Sequence, residues 1–194
     1  RFGYQKGGDL AKAVFQDILA VVTNANFSSK ITCTAGDFDS DEVADLREDG
    51  LEANLYPDQC SLVLSNAYFT SLLKDTDLSH AMNFGADDVV RKGAIPSLFG
   101  IDSIYESNSI PTNSEHLKGF YTHPSAIACA MRYLEPTNSK EYITARRLFD
   151  AETGMVIGYR EFYEPSTGTQ TAVLEAVYGV AVGVAGNLIR IVSA

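Results

Sequence analysis

The chain has 194 residues, 45% of them hydrophobic, enough for one compact domain or two small lobes with a substantial core. Its 15 basic and 25 acidic residues leave a formal charge of −10, which argues against a face that neutralises nucleic-acid phosphates. The 3 cysteines, Cys33, Cys60 and Cys129, lie far apart, without the close pairs of a zinc knuckle or redox motif, and read as buried thiols.

No run of roughly 18 apolar residues is present to cross a membrane. The opening RFGYQKGGDL has neither an initiating Met nor a signal-peptide apolar region, so the expectation is a soluble fragment of a longer protein.

In chain order, Asp9 is expected to cap a long, central helix running to about Asn24. Its apolar positions Leu10, Ala13, Val14, Ile18, Val21 and Val22 recur at helical spacing, and Phe15, Leu19 and Ala20 widen the apolar face. After NANFSSKITCTAG, Asp39 or Ser40 caps a second helix with Asp41 and Glu42 in its first turn. Val43, Leu46, Leu51 and Leu55 mark its face before Pro57, and Gly50 weakens it slightly. The short run QCSLVLS suits a buried strand, and Ser65 or Asn66 then caps a helix to about Lys74. TDLSHAMNF, with His80, reads as a surface loop.

The stretch 85–111 joins a short helix to a Gly-marked turn and a period-two strand from Ile101 to Asn108. Leu117 to Tyr121 form another strand. Pro124 then opens an apolar helix with Ile127, Ala128, Ala130 and Met131. The last third, YITARRLFD, TGMVIGYREFYEP and TQTAVLEAVYGVAVGVA, reads as antiparallel hairpin strands. Gly154 and Gly168 serve the turns, Gly179, Gly183 and Gly186 mark bends, and NLIRIVSA adds a closing strand. The class is α+β.

No catalytic, cofactor-binding or metal-binding residue is assigned. A nucleophilic Cys129 would need a base, and His123 is the nearest His in sequence, yet Cys129 sits inside an apolar pattern. Ser65, His80 and Asp77 form only an arbitrary triad without a nucleophile elbow. His80, His116 and His123 are too dispersed for a local metal motif. Asp87 and Asp88 point to different sides of a helix and read as helix-start charges. The carboxylates of DFDSDE and of AETG at 151–154 read as a cap and a solvated loop. Arg91 with Lys92 and Arg146 with Arg147 are weak basic pairs, as well suited to salt bridges between subunits as to nucleic acid. Tyr159, Arg160, Phe162 and Tyr163 form an aromatic, Arg-bearing strand. It is read first as cross-strand packing and second as a ligand platform.

Five segments, in order, carry a resemblance: LAKAVFQDILAVVTNANF, SLVLSNAYFTSLLKD, KGAIPSLFGIDSIYESNSIP, KGFYTHPSAIACAMR and VYGVAVGVAGNLIRI. Together they resemble the major capsid, or coat, proteins of tailed bacteriophages, with the Hong Kong 97-type fold. The resemblance implies that 1–34 hold the end of a peripheral-domain spine helix and its connection. It makes 35–135 axial domain, and 136–194 strands that finish the axial domain and return to the peripheral one. It implies a structural, non-enzymatic protein of a virus or prophage. Copies would assemble as pentamers and hexamers into an icosahedral shell around phage DNA, with a scaffolding protein as a further partner, without sequence-specific nucleic-acid binding or membrane, located in the virion and in host cytoplasm during assembly. Relatives carry an N-terminal arm and extended loop ahead of the spine helix, for which there is no room before Arg1. The Lys–Asn cross-link of some relatives is not carried onto Asn187. The alternatives are an encapsulin-like compartment, an α+β hydrolase using Cys129 or Ser65, and a monomeric binder using strand 159–163.

Overall fold

The structure, a computed structural model, describes residues 2–76, 78, 95, 97–111, 113–135, 142–149 and 154–194. Two compact units emerge, one of residues 1–18 and 129–181 and the other of 19–128 and 182–194. Asp77, His80, Asp87, Asp88, Arg91, Lys92 and 151–153 lie outside the described residues, as does the short helix expected after 85.

The larger unit is built on a mixed sheet. Its strands are β1 (Lys30–Cys33), β2 (Ser61–Leu64), β3 (Ser103–Glu106), β4 (Leu117–Thr122) and β10 (Leu188–Ser193), ordered β1-β10-β4-β2-β3. β10 runs parallel to β1 and antiparallel to β4, while β2 pairs antiparallel with β4 and parallel with β3. Strand alternation sends Leu62, Leu64, Tyr121, Ile189 and Ile191 into one core, with Val43 and Leu46 of α2 (Ser40–Glu52) and Tyr68 and Leu72 of α3 (Asn66–Lys74). The other face of the sheet supplies Leu117, Phe120 and Leu188 to a second core with Val22, Phe27 and Ala126. Covered on both faces, β10 is buried from Leu188 to Val192, and its sequence accordingly shows no polar alternation apart from one arginine.

The second helix starts as expected. The Asp39 side chain accepts from the helix backbone and Glu42 reaches back to the Asp39 N–H, a reciprocal capping box. Its glycine has a packing reason: a Cβ on Gly50 would sit 2.7 Å from the Tyr121 ring, so glycine lets the helix close on the sheet. Leu51 falls on the outer side at 39% exposure, and Leu55 enters the core only after the helix has ended at Glu52.

The smaller unit contains α1 (Phe2–Leu19) and an antiparallel sheet β6-β7-β8 (Thr144–Phe149, Val156–Glu164, Thr169–Glu175). Gly168, at φ 65°, turns β7 into β8, and Gly154, at φ 68°, precedes β7. β5 (Ile127–Arg132) and β9 (Val177–Val182) form a two-stranded ribbon whose residues divide between the units.

Three expectations are corrected. The first helix begins at Phe2 and ends at Leu19, so Asp9 is interior rather than a cap. Its end frees the β-branched Val21 and Val22 for turns, and Val22 becomes part of the second core. Within the helix Val14 is buried, while Ala13 and Phe15 are exposed. Second, 127–132 is a strand. His123 to Ala126 closes a turn, with the Ala126 N–H donating to the His123 carbonyl at 3.0 Å, and the chain emerges extended beside β9. Third, that extension leaves Cys129 exposed, and Cys33 is only half-buried. β1 was not anticipated, although KITC alternates exposed and half-buried positions.

Candidate functional site

The three thiols offer little nucleophilic chemistry. Burial, reinforced by Glu42 and Asp37, pushes the Cys33 thiol up to about 11, against the thiolate that reaction requires. Burial also raises Cys60, which lies beside the enclosed Tyr121 hydroxyl; this is a weak sulfur contact that falls short of a full hydrogen bond. Tyr68, whose hydroxyl donates to the Cys33 carbonyl at 2.8 Å, is pushed up to about 12 by burial and then by Cys33. Cys129 is exposed on a strand, and the His123 ring bonds instead to Ser125 and Gln59.

Ser65 stands at the head of α3, where its hydroxyl is enclosed without a hydrogen-bond partner, and makes no side-chain cap. It borders a cleft of about 510 Å³ with Thr34, Asn66, Ser107 and Lys118, and among the described residues no base is hydrogen-bonded to it. A Ser–His pair does exist elsewhere: His123 Nδ1 lies 2.7 Å from Ser125 Oγ and also accepts the Ser125 N–H at 3.2 Å. Gln59 faces His123 Nε2 at 3.3 Å, and Asn187 donates to Ser125 Oγ at 2.6 Å. With one ring nitrogen receiving both groups of the residue two positions on, the arrangement is a turn lock. The Gly183 N–H and Val184 N–H donate to Ala126 and Ser125 carbonyls at 2.8 and 3.0 Å, fixing the same turn. The sequence carried no signal that Gln59 and Asn187 converge on it.

The most developed polar constellation is equally structural. Arg190, 1% exposed on the interior strand β10, donates from Nε to the Phe27 carbonyl (2.7 Å) and through its other nitrogens to Glu115 (2.7 Å) and Asn24 (2.6 Å). Glu115 also accepts the Asn24 N–H. A planar guanidinium with every arm engaged can tie two loops to a strand. Among the described residues, no group of three His, Cys, Asp or Glu side chains comes together to hold a metal. The DFDSDE carboxylates act locally: Asp37 accepts the Thr34 hydroxyl at 2.8 Å, and Asp39 and Glu42 form the cap.

The aromatic strand does not present one platform. Alternation puts Tyr159 and Tyr163 on one face of the three-stranded sheet and Arg160 and Phe162 on the other. Arg160 pairs with Glu175, donates to the Leu134 carbonyl at 2.8 Å and lies 5.7 Å from the Tyr142 ring centroid, with Phe162 edge-on to the same ring. Packing therefore accounts for Arg160 and Phe162. What remains is an exposed apolar set around this sheet: Ile143, Leu148, Phe149, Tyr163 and Val173, with Arg146 and Arg147 on the edge strand β6. Pairing puts Leu148 and Tyr163 on one face and Phe149 and Val173 on the other, so the exposed apolar side chains also flank the sheet on both sides.

Neither a model of a known protein family nor a curated protein matches the sequence. Solved structures match the fold along nearly the whole chain. The capsid structure of cyanophage P-SCSP1u superposes at TM-score 0.69 with 14% identity, covering 100% of this chain and 65% of that one. The asymmetric unit of the bacteriophage PhiM1 mature capsid gives 0.62 at 12% identity, covering 98% and 62%. A structure of Mycobacterium phage Che8 gives 0.58 at 20%, covering 97% and 61%. The chain thus spans less than two thirds of the length of each. No described helix is long and apolar enough to cross a membrane. The α+β fold of this chain is one found in phage capsids.

Proposed function

We propose that this chain is a major capsid protein of a tailed bacteriophage or prophage, whose copies associate into the icosahedral head around phage DNA. The observation that carries the reading is the likeness to the P-SCSP1u capsid over 100% of this chain. In this reading the fold is of the Hong Kong 97 type and the protein is structural rather than enzymatic. α1 is the end of the spine helix in a peripheral domain, to which the first division assigns 1–34. The axial domain is 35–135, with 136–194 finishing it and returning to the periphery. The compact units offer a second division, with 129–181 joined to the helix.

The physical features agree with such a role. Reactive groups are dispersed or raised away from ionisation, while apolar side chains lie exposed on the three-stranded sheet. In a shell each copy touches several neighbours, so modest contacts combine through multivalency. The neighbours are phage capsids, which does not favour the encapsulin-like compartment, and the partnerless Ser65 hydroxyl does not favour the hydrolase.

The test is expression of the complete open reading frame with a scaffolding protein supplied, followed by negative-stain microscopy. Closed shells are expected. A monomer under every assembly condition, or one thiol or hydroxyl labelled stoichiometrically by a hydrolase probe, overturns the reading.

A further inference from the structure

Two charged surfaces have no ion-pair partner among the described residues. On α2, Asp41, Asp45, Glu48 and Glu52 are exposed and fall at intervals of four, three and four, one continuous stripe opposite the buried Val43, Leu46 and Gly50, with Asp49 exposed alongside. Arg47, the helix's own cation, is turned away: it is half-buried, its Nε is enclosed, and it acts on Tyr121. Like charges at such spacing repel along the helix, so the stripe costs stability until a cation covers it. The second surface is β6. It is an edge of its sheet, and Arg146 and Arg147 have no ion-pair partner among the described residues. Arg147 lies over the exposed Phe149 ring at 5.6 Å, and Leu148 and Ile143 are exposed on either side.

The two surfaces match in sign and in length. From Asp41 to Glu52 the stripe extends about 16 Å at the helical rise, and Thr144 to Phe149 extend about 16 Å at the strand rise. Consecutive residues of an edge strand point to opposite faces, so Arg146 and Arg147 make the edge basic from either side, and the long side chains can bend toward a partner.

We propose that the β6 edge of one copy receives the acidic α2 stripe of a second copy, a heterologous contact that rests on the capsid reading above. A heterologous contact closes into rings when its rotation permits, which is the geometry capsomers require. Charge sets partner and register, while Leu148 and Phe149 supply the apolar part of the contact.

The experiment uses the complete chain and three proteins: wild type, Arg146→Glu/Arg147→Glu, and Asp45→Arg/Glu48→Arg. Association is followed by sedimentation velocity, and thermal melts check the fold of each variant. Each variant alone is expected to associate at least about tenfold more weakly than wild type, and their equimolar mixture to recover to within about threefold, since the central pair of every α2 stripe, residues 45 and 48, then meets a β6 pair of opposite charge. Wild-type association should also weaken as salt rises from about 50 to about 500 mM. If wild type assembles and the β6 variant assembles equally well, or the mixture fails to recover, the contact is wrong and the capsid reading stands. In that case the arginines only blunt an edge strand. If wild type does not associate at all, both fall together.

Discussion

Replacing Arg190 by Met keeps the length and removes the guanidinium from the centre of the larger unit. Three donated bonds of 2.6 to 2.7 Å disappear, leaving the Phe27 carbonyl, the Asn24 amide oxygen and the Glu115 carboxylate short of partners. Breaking a buried ion pair costs about 3–5 kcal/mol. Because the Glu115 side chain is 29% exposed and water can reach it, the lower end, about 3 kcal/mol, applies. With a urea slope of about 2 kcal/mol/M the unfolding midpoint should fall by about 1.5 M. The chain has no tryptophan, so circular dichroism and tyrosine fluorescence follow the transition. Adding Glu115→Gln to the Met variant should recover about 1 kcal/mol, since the amide oxygen still accepts from Asn24 without a stranded charge. A midpoint shift below about 0.5 M, or a double variant no better than the single, would refute the argument.

Gly183→Ala places a Cβ 2.2 Å from the Ser125 carbonyl oxygen and should cost about 2–3 kcal/mol in a thermal melt, while Gly179→Ala and Gly186→Ala, with nothing within 4 Å, should be tolerated. Asp39→Ala removes the capping box and should cost about 1 kcal/mol, with Asp39→Ser close to wild type in the same denaturation assay. Cys33 and Tyr68 are raised in the folded state to about 11 and about 12 from 9.0 and 10.0, so the unfolded chain ionises first. Their contribution is complete below about pH 9 and is lost as pH climbs through 9 to 12; melting temperatures should fall across that window, and less so in Cys33→Ala. At neutral pH a thiol reagent should modify Cys129 rapidly and Cys33 and Cys60 slowly, and equal rates would contradict the assigned exposures.

The local signals were legible where one short segment decides its own state. Asp39 with Glu42 announced a cap, the run around Leu62 a buried strand, and Gly168 a turn. Misreadings arose where distant chain decides. Ile127 to Met131 carry an apolar pattern that a helix would use equally well, and only β9, some fifty residues on, makes them a strand. KITC is four residues long, too short to declare itself without β10 beside it. The same limit applies to surfaces. Arg146 and Arg147 were visible as a pair, but their place on an edge strand depends on β7, and the single-sided α2 stripe depends on which face meets Tyr121. The Ser125 lock combines residues from three separated segments, and no spacing rule anticipates it.

The position of β10 also orders events in time. Arg190 meets Phe27, 163 residues earlier in the chain, and among the described residues β1 has no sheet partner other than β10. At a translation rate of about 5–20 residues per second, the interval between making these two parts is about 8–30 s. Until β10 is made, Glu115 lacks its arginine, β1 lacks β10, and the cores lack Leu188, Ile189 and Ile191. Contacts of such long sequence separation also form slowly once available. A nascent chain therefore cannot complete the larger unit before β10 emerges, and that strand divides a period in which sheet and cores are incomplete from one in which both are closed.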